Sequence, residues 1–218
     1  MKLIVLAAGQ GFKLDGFNKL LIKDPRTGER ILDRYLRLFA DYEVIVVVGF
    51  RAIEIMSEYP NLNYIYNDQW RITGNSYSLS LALDETPCVV ISADLLFDED
   101  TVKLIDESPE NSVFVLHSEN KGINTLRCKV KKNIVKSIYM GEEPNNDYET
   151  TGIYKITYSK ILRKWKNDCS VNRNVFAGSN IPVDIDKLYA VDISSFFFHE
   201  INTPLDYLNL KAKIEEIK

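Results

Sequence analysis

The sequence is poor in the residues that most often build disulfides, zinc sites and acid–base centres. Its 218 residues include three cysteines and two histidines. Cys88, Cys128 and Cys169 form no C-x-x-C pair and have no neighbouring histidine, so neither a disulfide framework nor a zinc site is indicated. Two histidines leave little material for a reaction that needs an imidazole as general acid or base.

Long hydrophobic runs and an excess of positive charge are also missing. No apolar stretch approaches the roughly 20 residues of a membrane-spanning helix, and Lys2 leads directly into a predicted strand without a signal-peptide pattern. We therefore expect a cytoplasmic protein without membrane insertion. A net charge of −4 lacks the concentrated basic face that binds a nucleic-acid backbone. The expected partners are small molecules, and any phosphate binding must be local.

The first half of the sequence alternates apolar strands with helical patterns. Strands are predicted at 3–7, 44–48, 63–66, 88–92 and 112–117, and helices at 31–40, 52–58, 76–83 and 99–107. Strands that are apolar on both faces are typical of a largely parallel sheet covered by helices. Ligands of such α/β sheets bind at the carboxyl ends of the strands.

The second half follows a different pattern. Its predicted elements are strands at 125–130, 134–139, 151–157, 188–193 and 196–201, helices at 159–167 and 171–178, and a closing helix from Pro204. The first two of these strands flank a short polar turn and predict a β-hairpin. We expect one domain, residues 1–218, with an antiparallel hairpin insertion at 117–150 that walls one side of the cleft.

The first predicted strand leads into a glycine-rich loop and two lysines. Gly9 and Gly11 let backbone amides approach an anion closely, and Lys13 and Lys19 supply positive charge. The loop lacks the third glycine of a dinucleotide-binding fingerprint and the Gly-Lys-Ser/Thr of a Walker A loop. An ordinary turn with solvated lysines is the structural alternative to a polyphosphate site.

This region resembles the nucleotidyltransferases of the GT-A type, whose signature is L-A/S-A-G-x-G-x-R-L followed by P-K-x-L. The first part matches from Leu6 to Leu14, with Lys13 in the arginine position. The second part matches at Lys19, with Asn18 in place of proline. Lysine lacks the planar fork with which arginine grips a phosphate. The resemblance implies a Rossmann-like GT-A fold and a nucleotide held by loop residues: Leu6, Ala7, Ala8, Gly9, Gln10 and Gly11.

Acidic residues near two later strand ends are the candidate metal ligands. Asp94 follows the strand at 88–92, so its carboxylate is expected at the cleft, where it is suited to hold Mg²⁺ against a triphosphate. Glu200 and Asn202 are two apart on a strand and point to one face. They match the E-I-D/N-T-P-x-D ending of cytidylyltransferases, which implies that they complete the metal site. Turn capping by Asp94 and helix capping by Asp206 are the structural alternatives.

A turn and helix at 70–82 resemble the N-x-x-S-L-x-x-A region that reads the nucleobase in the same family. Asn75 offers both a donor and an acceptor, as the cytosine edge requires, and Ser76 adds a hydroxyl. We therefore expect both residues to bind the nucleotide. Helix N-capping accounts for either residue equally simply.

The segment 148–154 looks like the Y-E-x-x-G-I-Y strand of the family and suggests where the second substrate binds. Aromatic faces with a carboxylate suit a cationic amine or trimethylammonium group. Tyr148, Glu149 and Trp165 are the candidate acceptor-binding residues. Chance placement is the alternative, because aromatic residues are common in this chain.

Together these features predict a Mg²⁺-dependent nucleotidyltransferase, and more specifically a cytidylyltransferase. It would transfer CMP from CTP, or the nucleoside monophosphate of another NTP, to a phosphorylated or phosphonate amino-alcohol and release pyrophosphate. Lys13, Lys19 and Asp94 are the expected catalytic residues. No general base is needed, because the attacking phosphate or phosphonate oxygen is already ionised.

Several alternatives stay open at this point. A related enzyme could use a sugar phosphate, an inositol phosphate or a molybdenum-cofactor substrate. A GT-A-like glycosyltransferase should carry D-x-D at the strand end, which the sequence after Asp94 lacks. A nucleotide-sensing domain without activity is a further option. The sequence does not decide which acceptor is used or what the oligomeric state is, and a homodimer is possible.

Overall fold

The computed structural model describes residues 1–117, 125–141 and 147–217, with side chains up to position 213. Parts of the predicted hairpin insertion at 117–150 therefore lie outside the described residues. None of the described helices is both long enough and apolar enough to cross a membrane.

The apolar strand at the start of the chain lies inside a parallel sheet. This strand, β1 (Lys2–Ala7), pairs with β2 (Glu43–Val48), which in turn pairs with β3 (Asn63–Tyr66). On its other side β1 pairs in parallel with β4 (Cys88–Ser92). Residues on both faces of β1 are buried because helices cover the sheet from both sides.

The helices form two layers, one on each face of the sheet. They are α1 (Ile31–Leu38), α2 (Ala52–Glu58), α3 (Asn75–Ala82), α4 (Glu99–Glu107), α5 (Ser159–Val171) and α6 (Pro204–Ile217). Buried residues of α1, α2, α4 and α6 pack against one face, and those of α3 and α5 pack against the other. The predicted helix at 171–178 is wrong, because α5 ends at its first residue and a 3-10 helix follows at Ala177–Asn180.

The remaining strands extend the sheet and add a small second one. They are β5 (Leu95–Phe97), β6 (Asn111–Leu116), β7 (Leu126–Lys131), β8 (Ile134–Met140), β9 (Tyr148–Ile156), β10 (Tyr189–Asp192) and β11 (Phe198–Glu200). The main sheet has the order β3-β2-β1-β4-β9-β6-β10-β8-β7. Of these described strands, β8 and β9 run against the others. The mostly parallel, Rossmann-like α/β fold with an antiparallel hairpin is therefore confirmed.

The small sheet joins two distant parts of the chain beside the carboxyl end of β4. In it β5 pairs with β11 in antiparallel register, which sets Glu200 opposite Leu95. The amide of Ile201 continues the pairing by donating to the carbonyl of Asp94 over 2.9 Å. The strand at 196–201 was predicted, but its three-residue partner β5 was not. This pairing brings Glu200 next to the turn that carries Asp94.

Candidate functional site

A cleft of about 250 Å³ opens at the carboxyl ends of β1 and β4. Its walls are the glycine-rich loop, the turn after β4 and the start of α3. Most of the residues predicted for nucleotide binding or catalysis lie on these walls: Leu6, Ala7, Ala8, Gly9, Gly11, Lys19, Asn75 and Asp94. Gln10 lies within the loop but is not among the described residues that line the cleft, and the same holds for Lys13, Ser76, Glu200 and Asn202.

The glycine-rich loop folds into a tight turn that requires glycine at one position. Gly11 has a φ of 58°, in the left-handed region, and its carbonyl accepts hydrogen bonds from the amides of Leu14 and Gly16. At Gly9 a side chain would meet no atom within 4 Å, so the backbone there faces open space. Lys13 lies on the following 3-10 helix (Phe12–Leu14) and is exposed, outside the cleft.

Lys19 is held inside the cleft by two oxygen atoms. Its Nζ donates to Oδ2 of Asp94 at 2.6 Å and to Oδ1 of Asn202 at 2.9 Å. Lys19 begins a short 3-10 helix (Lys19–Leu21), and the side chain of Asn18 caps that helix by accepting from the amide of Leu20. Asn18, which stands where the family signature has proline, therefore supports the position of the lysine.

Lys19 is one positive charge near two carboxyl groups, those of Asp94 and Glu200. Oδ1 of Asp94 is buried and has no hydrogen-bond partner among the described residues. The pKa of Glu200 is raised, first because protein atoms displace water around its carboxyl group and second because the Asp94 carboxylate repels its charge. Glu200 as a whole is exposed, so solvent moderates the effect. A bound cation would reduce the repulsion between the two carboxylates and would give the buried oxygen of Asp94 a partner.

This donor set fits a magnesium ion that shares its ligands with a substrate. In the described part of the chain, no three His, Cys, Asp or Glu side chains gather as a metal site. The cleft wall instead offers the carboxylate of Asp94, and the Asn202 amide oxygen and the Glu200 carboxylate lie nearby, outside the residues that line the cleft. Mg²⁺ commonly binds through one or two carboxylates together with substrate phosphates and water. Asp94, Glu200 and Asn202 therefore supply oxygen donors of the type that a metal–triphosphate complex requires.

Asp206 has a structural role at the start of α6. Its Oδ2 accepts hydrogen bonds from the amide of Asn202, the amide of Thr203 and the Thr203 hydroxyl, at 3.0, 2.7 and 2.9 Å. Three donors occupy this oxygen and fix the bend between β11 and α6. The capping interpretation of Asp206 therefore applies, and the bend orients Asn202 toward Lys19.

The two residues predicted to read the base occupy different environments. Asn75 lines the cleft, but its Oδ1 accepts from the amide of Ala177 at 2.7 Å, which leaves the amide NH₂ as its free polar group toward the cleft. Ser76 is fully buried between α3 and α5, where its hydroxyl accepts from Asn180 at 2.6 Å. The prediction that Ser76 contacts the nucleotide is wrong, because it has no exposed surface. Neither residue is the N-cap of α3, which is Gly74.

The wall of the cleft around Asn75 also contains polar residues that sequence reasoning missed. Asn67 is fully buried, directly after β3, and its side-chain amide donates to Thr73 and Ser78 at 3.2 and 3.0 Å. All three line the cleft, beside an edge-to-face pair of Phe50 and Trp70 whose ring centroids are 5.1 Å apart. Asn67 follows a parallel strand, so the strand-end rule that identified Asp94 could have identified it too.

The predicted acceptor-binding residues lie in different environments. Tyr148 begins β9, and its ring lies over His117 with centroids 4.3 Å apart. Glu149 follows it, and its charge adds to the upward shift in the pKa of Glu200. Trp165 is fully buried in α5, where its ring packs against Tyr154 and its indole N–H donates to the carbonyl of Ala177. The acceptor prediction for Trp165 is therefore wrong, because it is a core residue.

Several solved structures share this fold over nearly the whole chain. The CTP:phosphocholine cytidylyltransferase LicC from Streptococcus pneumoniae superposes with a TM-score of 0.75 at 18% identity, with 98% of both chains covered. The inositol-1-phosphate CTP transferase from T. maritima gives 0.72 at 19% identity, covering 99% of this chain and 96% of that one. HddC from Yersinia pseudotuberculosis, complexed with GMP-PN, gives 0.70 at 17% identity, covering 98% and 99%.

A family-level match in sequence accompanies these similarities of fold. No curated protein sequence matches the chain significantly. The model of the MobA-like NTP transferase domain matches residues 3–145, which include the glycine-rich loop, Lys19, Asn75 and Asp94. Because this match spans more than half of the sequence and contains the cleft described above, the chain belongs to the MobA-like NTP transferase family and is a nucleotidyltransferase.

Proposed function

We propose that this enzyme transfers CMP from CTP to a phosphorylated or phosphonate amino-alcohol and releases pyrophosphate, with Mg²⁺ as its metal. The observation that carries the proposal is the contact between Lys19 and Asp94 at the carboxyl end of β4. One oxygen of Asp94 pairs with the lysine, and the other is buried without a described partner. A cation and a carboxylate at one point of the cleft suit a substrate that is a metal-bound polyphosphate.

In the proposed reaction, an ionised oxygen of the acceptor attacks the α-phosphorus of CTP. The new P–O bond forms as the bond to the β-phosphate oxygen breaks, and pyrophosphate leaves with the electron pair. Lys19 neutralises charge on the α-phosphate and orients the acceptor's phosphate. The amides of the glycine-rich loop stabilise the leaving group, and Lys13, which is exposed next to this loop, can swing in to help.

Asp94, Glu200 and Asn202 are the residues that would hold the metal. When bound, Mg²⁺ would draw negative charge from the triphosphate and lower the barrier to displacement. The side chain of Asn202 links this set to Lys19, because its Oδ1 accepts from the lysine. Its side chain also lies close enough to Glu200 to oppose the rise in that carboxyl pKa.

The preference for cytosine is inferred from the hydrogen-bonding capacity left at Asn75. Its carbonyl oxygen is occupied by the Ala177 amide, so the side chain offers a donor toward the cleft. On the pairing edge, N3 is an acceptor in cytosine but carries a hydrogen in uracil, so an amide donor aimed at N3 favours cytosine. Two of the structural neighbours are CTP-using enzymes according to their names, which agrees with this inference.

The acceptor class is inferred from the charge and aromatic character at the start of β9. The ring of Tyr148 and the carboxylate of Glu149 suit a cationic amine or trimethylammonium group. A second candidate is a neutral inositol or sugar phosphate, because one neighbour of equal coverage is named for inositol 1-phosphate. Such an acceptor would be held by hydrogen bonds to its own hydroxyl groups. It would gain no affinity from the negative charge of Glu149.

A substrate panel tests this proposal. Each of the four NTPs is paired with phosphocholine, phosphoethanolamine, 2-aminoethylphosphonate, inositol 1-phosphate and glucose 1-phosphate, and pyrophosphate release is measured with and without Mg²⁺. We expect CTP with one of the amino-alcohol acceptors to give the highest specificity constant. The Asp94→Asn protein is the control for contaminating activity. Preference for a neutral acceptor supports the second candidate and contradicts the first.

A further inference from the structure

The turn that carries Asp94 is anchored through its backbone on several sides. It spans positions 92–95 between β4 and β5, with Asp94 next to its end. The amide of Ala93 donates to the carbonyl of Leu6 at 3.2 Å, and the carbonyl of Asp94 accepts from Ile201 at 2.9 Å. These bonds tie the turn to β1 and to the segment after β11, but neither fixes the two ends of the turn to each other.

A buried tyrosine hydroxyl provides that connection. Tyr35 of α1 is fully buried, and its hydroxyl lies 2.7 Å from the carbonyl oxygen of Leu95 and 3.1 Å from that of Ser92. A phenol has one proton, so Leu95 is the main acceptor and Ser92 shares a bifurcated hydrogen bond. The ring itself stacks on Phe97 at a centroid distance of 5.6 Å. Phenylalanine would keep this stacking, so the hydroxyl is the feature that acts on the turn.

The same helix also fixes the far end of β5 and the helix that carries Lys19. The side chain of Arg34 donates to the carbonyl of Phe97 at 2.8 Å and forms an ion pair with Asp98. At the start of α1, the amide of Ile31 donates to the carbonyl of Ile22 at 2.9 Å, directly after the 3-10 helix of Lys19. One helix therefore supports both members of the Lys19–Asp94 pair.

We propose that Tyr35 is a positioning residue for the transfer reaction. Its hydroxyl holds the 92–95 turn so that one oxygen of Asp94 stays on Lys19 and the other stays directed to the metal. Tyr35 touches neither substrate nor metal and acts through Asp94, as groups behind metal ligands commonly do. This inference rests on the proposed metal role of Asp94.

The test compares Tyr35→Phe with Tyr64→Phe. Tyr64, on β3, makes the same kind of bond away from Asp94: its hydroxyl donates to the carbonyl of Tyr59 at 2.7 Å, with that of Ile55 at 3.4 Å. Binding of Mn²⁺ in the presence of CTP is measured by electron paramagnetic resonance. Turnover, the Michaelis constant for CTP and the thermal unfolding midpoint are measured on the same proteins, and circular dichroism checks that each is folded.

We expect Tyr35→Phe to weaken Mn²⁺ binding and to lower kcat, each by about tenfold, the scale found when support behind a metal ligand is removed. The Michaelis constant for CTP should change less than about threefold, because Tyr35 does not contact the nucleotide. Tyr64→Phe should leave Mn²⁺ binding and kcat unchanged. If the Tyr35 hydroxyl contributed only to stability, both variants would unfold at a lower temperature and their affinities for Mn²⁺ would be the same.

If Tyr35→Phe binds Mn²⁺ and turns over like Tyr64→Phe, the hydroxyl contributes only stability and the inference is overturned. Asp94→Asn in the same assays separates this failure from that of the proposed function. If Asp94→Asn retains both Mn²⁺ binding and turnover, the metal assignment itself is wrong, and the role of Tyr35 falls with it. If Asp94→Asn loses both while Tyr35→Phe loses neither, only the positioning role is contradicted.

Discussion

The two sides of the cleft differ in how their polar groups are satisfied. One side, around Asn67 and Asn75, is the proposed binding site of the base and is called the base side. There Asn67 is fully buried and hydrogen-bonded to Thr73 and Ser78, and Asn75 is held by the amide of Ala177. The other side, around Asp94 and Lys19, is the proposed site of the reaction and is called the reaction side. There one oxygen of Asp94 has no described partner. The pKa of Glu200 is raised by the protein atoms that displace water around its carboxyl group and by the Asp94 carboxylate. The base side is thus organised by the protein, whereas the reaction side is left for ligands to complete.

This difference has a physical reason. A site that recognises a base gains affinity when its donors are already oriented, because little ordering remains to be paid on binding. A site that binds a metal–triphosphate complex needs unbalanced negative charge and free oxygen atoms before the ligand arrives. Lys19 partly compensates that charge in the ligand-free protein. Substitutions on the two sides should therefore have different consequences.

The largest effect is expected for Asp94→Asn, which removes charge from the reaction side without changing its shape. We expect kcat to fall by at least ~100-fold, the scale of a lost electrostatic contact in the transition state. Circular dichroism should show an unchanged fold. Near-normal turnover in this variant would remove Asp94 from the metal site and abolish the contrast between the two sides.

The next effect separates the two lysines. Lys19→Ala should lower kcat by about 10- to 100-fold, the range for losing a charged hydrogen bond at the reacting phosphate. Lys13→Ala should cost less and should act partly on the Michaelis constant for CTP, because Lys13 is exposed in the ligand-free protein. Steady-state kinetics at saturating acceptor distinguish the two. Equal effects below about threefold would return both lysines to the role of solvated loop residues.

A moderate effect is expected at the acceptor end, with a core residue as the control. Tyr148→Leu should lower the specificity constant for the acceptor by about 5- to 30-fold, the value of stacking on a desolvated cation. Glu149→Gln should raise the Michaelis constant for the acceptor and leave that for CTP nearly unchanged. Trp165→Phe should instead lower the thermal unfolding midpoint, since the indole N–H bond to Ala177 is buried. An acceptor effect at Trp165 alone would reverse our assignment.

The smallest effects compare neighbours at the start of α3. Ser76→Ala should cost about 1 kcal/mol of unfolding free energy, the usual value of a hydrogen bond, and leave CTP binding unchanged because the side chain is buried. Asn75→Ala should lose a similar amount of stability and also reduce selectivity for CTP over UTP. Chemical denaturation and competition kinetics measure both quantities. Equal nucleotide selectivity in the two variants would contradict the role of Asn75.

The parts of this account that sequence alone predicts depend on local pattern. The strand before Asp94 is apolar at every position from Cys88 to Ile91, so its end, and hence the location of the carboxylate, can be placed within a residue or two. Glu200 and Asn202 are two positions apart and are expected on one strand. In the structure β11 ends at Glu200, and Asn202 lies in the bend that follows. Both predictions use the geometry of a single segment and nothing more distant.

The parts that sequence did not predict depend on contacts between distant segments. Asn75 and Ala177 are hydrogen-bonded across 102 positions, and Ser76 and Asn180 across 104. No local pattern reports such pairing, so Ser76 was assigned to the cleft when it lies in the core. Trp165 was misassigned for the same reason, because an aromatic residue on an amphipathic helix does not by itself reveal what its ring meets. The strand β5 was missed because three residues are too few to show a period.

Real-time ³¹P nuclear magnetic resonance of the enzyme with CTP, MgCl₂ and the preferred acceptor tests the central claim most directly. The account predicts that the three CTP phosphate signals and the acceptor signal decline together. Pyrophosphate and a new diphosphate diester should appear in equal amounts, only when Mg²⁺ and the acceptor are both present, and not with Asp94→Asn. If CTP stays intact with every acceptor, or if nucleoside diphosphate or inorganic phosphate appears in place of pyrophosphate, the proposed reaction is wrong.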